Sequence, residues 1–102
     1  MKIPKQVTVG KTKIDIHRPH SLKVGRHACR GCYDYSQQAI AIANYTPSGS
    51  HKYSPSEKSN TFWHELTHAI LHDMGENKLN HNEQFVTAFA DRLDQAIKTA
   101  RF

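Results

Sequence analysis

SPSEKSNTFWHELTHAILHDMG, residues 54–75, reads as one helix that carries its own start and stop. Ser54 is a capping residue, Pro55 suits the first helical position and Glu57 stands three past the cap, the capping-box pattern. Gly75 supplies the left-handed residue on which helices end. Between them Trp63, Leu66, Ile70 and Met74 recur at helical spacing as one apolar stripe, which requires something apolar to pack against.

Downstream, a second helix is expected from about Asn80 to Ala100. Asn80 would cap it with Glu83 three residues on, and Val86, Phe89, Leu93 and Ile97 would be its buried side. Upstream, Val7 and Val9, then Ile14 and Ile16, alternate with polar neighbours around Gly10-Lys11, so residues 6–17 read as a hairpin that Pro19 ends. A basic loop through Arg26 follows. Ala28 to Tyr35 is the third strand expected, Asp34 to Gln37 a turn, and Gln38 to Ala43 a fourth strand with Ile40 and Ile42 on one face. Thr46 to Lys52, rich in Pro, Ser and Gly, is a surface loop. The order ββββαα predicts an α+β fold: a small mixed or antiparallel sheet of three to four strands packed on two helices, with residues 1–102 as a single domain.

Composition narrows the function classes. A chain of 102 residues with 37% hydrophobic and 23% charged residues supports one modest core. No apolar run reaches signal-peptide or membrane-spanning length, so a soluble, unexported protein is expected. Two cysteines, Cys29 and Cys32, cannot build a disulfide framework, which fits a reducing cytoplasm. The net charge of +5 would favour an acidic partner or weak contact with nucleic acid. The basic residues are scattered, however, and no aromatic platform interleaves with them, so a nucleic-acid site is possible but not indicated.

His64-Glu65-Leu66-Thr67-His68 carries the chemistry. Residues four apart lie one turn above each other on a helix, so both imidazoles can converge on one ion at about 2.0–2.1 Å, the HExxH arrangement of zinc peptidases. Glu65 points about 100° around from His64, beside the metal without ligating it, where a general base belongs. On the helical wheel the two histidines fall nearly opposite the Trp63–Ile70 stripe, away from the core. A catalytic zinc needs a third protein ligand and one open position. Glu83 and His81 compete for that role. Glu83 is favoured because it borders the apolar face of the second helix. His72 lies two turns from His64, too far along one straight helix to share the ion.

With these residues in place the chain resembles the small gluzincin-type metallopeptidases of phages and mobile elements, akin to the ImmA/IrrE group. The likeness covers most of the chain: Gly31-x-x-Asp34 with Ile40-x-Ile42, the Ser-Pro-Ser-Glu helix start, the block Phe62 to His72, and Asn82-Glu83 before Phe85-Val86 and Phe89-Ala90. The resemblance implies a zinc metallopeptidase with His64, His68 and Glu83 as ligands, Glu65 as general base, and a protein or peptide substrate. It also implies that the substrate adds along the strand Gln38 to Ala43 as an extended peptide. The spacing from His68 to Glu83 is short for this pattern. Thr87 stands where thermolysin-like enzymes have an aspartate, so the histidines must be oriented from elsewhere.

Cys29-Arg30-Gly31-Cys32 is a lone CxxC, for which His17, His20 or His27 could complete a second zinc site; two reduced thiols are the simpler expectation. Two other functions stay open at this level. Deformylase-like hydrolases combine HExxH with a cysteine ligand, although Trp63 stands where their glutamine belongs. Alternatively, a zinc-fold binding protein acts by contact with a host protein or nucleic acid. Tyr33, Tyr35, Tyr45, Tyr53, His72 and His81 are the candidates for stabilising an oxyanion.

Overall fold

The computed structural model describes residues 2–102. Six strands precede three helices: β1 (Gln6–Val9), β2 (Thr12–His17), β3 (Leu22–Val24), β4 (His27–Cys29), β5 (Gly31–Asp34), β6 (Ala39–Ile42), α1 (Pro55–Asp73), α2 (Asn77–Asn80) and α3 (Glu83–Thr99). The fold is mixed α+β, as the strand and helix patterns predict. Four strands form one sheet in the order β1-β2-β6-β5, and β3 pairs with β4 in a separate two-stranded sheet. β1 and β2 are antiparallel with Val7 opposite Ile14. β6 runs parallel to β2, Ile40 opposite Ile16, and β5 returns antiparallel to β6.

Ile14, Ile16, Ile40 and Ile42 lie on one face of the sheet because alternate side chains of a strand share a face. Phe62 and Ala69 of α1 close over them and complete the core. The helix begins as its sequence requires: the Ser54 hydroxyl accepts from the Glu57 amide and the Glu57 carboxylate accepts from the Ser54 amide. It ends at Gly75, whose φ of 73° allows the Gly75 amide to reach the His72 carbonyl and the Glu76 amide the Leu71 carbonyl, a Schellman stop.

Several expectations need correction. The basic loop before Arg26 contains β3, and the expected strand Ala28 to Tyr35 breaks at Arg30: its first part pairs with β3 and only its second part joins the main sheet. Gln38 to Ala43 is not an edge. β6 lies between β2 and β5, and β5 is the outer strand. The second helix does not start at Asn80. That residue ends the short α2, and α3 is capped by Asn82, whose side-chain oxygen accepts from the Phe85 amide at 3.0 Å. The Asn80-to-Glu83 capping pair therefore does not exist, and Glu83 is free for another role.

The apolar stripes also turn out differently. In α3 the fully buried apolar residues are Val86 and Ala90, while Phe89 and Ile97 are 47% and 42% exposed, and Met74 of α1 is 62% exposed. α1 lies between the sheet and α3, so it buries two faces. Small and polar residues serve where helices approach closely: Ser59 donates to Asp94 at 2.8 Å, and Lys98 pairs with the other oxygen of Asp94.

Candidate metal centre

His64 and His68 project from the middle of α1, and Glu83 stands at the first position of α3, facing them. One carboxylate oxygen of Glu83 lies 3.0 Å from His68 Nε2 and the other 3.4 Å from His64 Nε2. The three donor atoms lie within 4.8 Å of one another, and among the described residues no other group of this kind forms. Ligands at about 2.0–2.2 Å from a tetrahedral zinc are separated by about 3.4 Å. The His64 spacing of 3.4 Å matches such an edge and the His68 spacing of 3.0 Å is shorter, each measured to a different oxygen of the Glu83 carboxylate.

The hydrogen-bonding logic points the same way. His68 Nδ1 lies 2.6 Å from Asn80 Oδ1. An amide oxygen only accepts, so Nδ1 carries the proton in that contact and the Nε2 lone pair faces Glu83. A lone pair and a carboxylate oxygen at 3.0 Å repel unless a proton or a cation sits between them. At His64, burial holds the imidazole below its ordinary pKa, outweighing the nearby Glu83 carboxylate. A neutral imidazole is the form a metal requires. Asn80, expected as a helix cap, instead ends α2 and orients the His68 ring. Its only sequence signal is its place two residues before the cap Asn82, at the end of the four-residue α2.

Glu65 leaves α1 on the other side of the pair, toward β5. It is 8% exposed, and burial pushes its carboxyl up to about 7, a shift that the charge of His68 and the Tyr33 backbone amide oppose. β5 can press this close because position 31 is glycine. A Cβ there would lie 2.5 Å from Thr61 Cγ2 and 3.2 Å from Glu65 Cγ. The Ala43 amide donates to the Arg30 carbonyl, which fixes the alternation along β5: the backbone groups of Gly31 and Tyr33 point away from β6, along the free edge.

The centre lines a cleft of about 810 Å³. Tyr33, Tyr35, His72 and His81 all border it, whereas Tyr45 and Tyr53 do not; Tyr45 stacks on His20 and Tyr53 lies beneath Arg30. His81 is exposed and stands outside the ligand trio. The cysteines are not drawn into a metal site. Both are free thiols, Cys29 turns to the His27 carbonyl, and burial, followed by the Glu65 charge, pushes the Cys32 thiol up. The second zinc site with His17, His20 or His27 does not form, and no cysteine joins His64 and His68 as a deformylase-like ligand.

No protein-family model, curated protein or solved structure matches the chain. No helix among the described residues is long and apolar enough to cross a membrane.

Proposed function

We propose that the protein is a zinc-dependent metallopeptidase that hydrolyses peptide bonds in a protein or peptide substrate. The observation that carries the reading is the convergence of His64, His68 and Glu83, each of which offers a ligand atom within 4.8 Å of the others. The resemblance to the ImmA/IrrE group of gluzincins, which rests largely on the same residues, agrees with it, and the free thiols suit a reducing cytoplasm.

His64, His68 and Glu83 would hold the ion, leaving the cleft side open. When bound there, zinc lowers the pKa of a ligated water to about 7 and polarises a carbonyl. Asn80 keeps the His68 ring in the tautomer that presents Nε2. Glu65, buried beside the pair, accepts a proton at its carboxylate and returns it to the leaving amine. The outer edge of β5, beside Glu65, offers the Gly31 amide and carbonyl and the Tyr33 carbonyl to an extended peptide, the Tyr33 amide being engaged by Glu65. This replaces β6, the interior strand, as the docking edge.

The test combines metal analysis with one substitution. Purified protein should carry about one zinc per chain and gain thermal stability from it. Glu65→Gln should keep the zinc and lose chelator-sensitive cleavage of a peptide library, because the amide cannot act as a base. Well-folded protein that neither contains nor responds to zinc defeats the reading. A biological effect that survives in Glu65→Gln favours the alternative, a binding protein acting by contact.

A further inference from the structure

We propose that Tyr33, Tyr35 and His72 form a subsite that selects an aromatic side chain of the substrate one or two residues before the bond to be cut; the inference rests on the peptidase reading. Tyr35 is 65% exposed, yet its ring is held in place. It stacks on His72 with centroids 4.8 Å apart and planes 27° from parallel. Tyr33 meets the same His72 ring edge-on at 6.0 Å. The three rings border the cleft that holds His64 and His68. Tyr35 contributes nothing to the core cluster, so an ordered, outward-facing π wall at this point is available to a ligand. Aromatic pairs favour such offset and edge-to-face arrangements at centroid distances of about 4.5–7 Å, and a further ring can extend the stack.

Placement along the cleft follows from the strand. Glu65 lies against the Tyr33 amide, which sets the level of the reacting bond on β5. Tyr35 opens the turn that follows β5, which ends at Asp34, so it stands past that end of the strand and at most roughly 7 Å from Tyr33 along the chain. His72 is one helical turn beyond His68, about 6 Å of rise in α1. A peptide added antiparallel to the free edge of β5 passes Tyr35 before it reaches Glu65, because antiparallel strands run in opposite directions. Its residues on the N-terminal side of the bond therefore meet the aromatic wall, and those on the C-terminal side run toward Arg30.

The experiment uses an alanine-based positional library of labelled decapeptides. Wild-type protein reports cleavage with and without chelator, and zinc-loaded Glu65→Gln reports binding by fluorescence anisotropy. Phe or Tyr at one position before the bond should improve kcat/KM, and affinity for Glu65→Gln, about tenfold over Ala. Tyr35→Ala and His72→Ala should reduce that ratio to near one, whereas Tyr35→Phe keeps it. Zinc affinity and melting temperature, measured alongside, separate loss of the subsite from loss of the fold. Chelator-sensitive cleavage without an aromatic preference before the bond, or with one that Tyr35→Ala leaves intact, overturns the subsite and leaves the peptidase reading standing. A Tyr35-dependent preference in binding without any cleavage sinks the peptidase and, with it, the placement of the aromatic residue before a bond to be cut. Neither cleavage nor binding overturns both.

Discussion

Replacing Glu65 by glutamine in the metal-free protein is expected to stabilise it at pH 8 and to destabilise it by up to about 1 kcal/mol near pH 4. The carboxyl rises from its ordinary 4.5 to about 7 because burial penalises its charged form. Between those two values the folded state binds more protons than the unfolded chain, so stability falls as pH rises through the window. Below 4.5 both states are protonated and the burden is absent; above 7 it is fully present. At ~1.36 kcal/mol per pH unit, the ionised side chain costs the fold about 3 kcal/mol. Glutamine removes the charge but buries an amide N–H₂, an offset of about 1 kcal/mol if no acceptor is found. The net gain at pH 8 is then about 2 kcal/mol, or roughly 10 °C in Tm for a domain of this size. Urea unfolding of chelator-treated protein, followed by fluorescence of the single tryptophan, Trp63, measures the difference at intervals from pH 4 to 8. A difference that does not vary with pH would refute the reasoning. So would a variant that is less stable at pH 8. Added zinc should shrink the gain, since a nearby cation favours the carboxylate.

Three further outcomes are expected. Glu83→Ala should abolish tight zinc binding in a chelator competition while His81→Ala leaves it near normal; the reverse result would make the site a three-histidine one. Asn80→Ala should weaken zinc about 10–100-fold by freeing the His68 ring, and nitrogen NMR of that ring should show the tautomers mixing. Gly31→Ala should cost about 1–3 kcal/mol in denaturant unfolding, because the new methyl meets Thr61 Cγ2. Thr61→Ser, which keeps the hydroxyl bond to the Glu57 carbonyl and removes that methyl, should restore part of the loss; no recovery in the double variant would argue against the steric cause.

The sequence by itself determined the elements whose signals are local. Ser54, Pro55, Glu57 and Gly75 fix both ends of α1 through hydrogen bonds within a few residues of each other, and the alternation of Ile14 with Ile16 and of Ile40 with Ile42 marks the core face of two strands. The placement of His64, Glu65 and His68 around one helix is equally local, a consequence of 3.6 residues per turn. What depended on the rest of the chain was decided only in three dimensions. Which strand forms the edge is a matter of pairing between distant segments, so β5 rather than β6 borders the cleft. Asn80 and Asn82 both have capping chemistry. Only the chain path after Gly75, which spends one turn on α2, sends Asn80 to His68 and leaves Asn82 to start α3. That same turn brings Glu83 to 3.0 Å from His68. The apolar stripes are incomplete for a related reason: a helix packed on both a sheet and a second helix buries two faces, and one stripe accounts for only one of them. The contact of Ser59 in α1 with Asp94 in α3 is likewise invisible until the partner helix is in place.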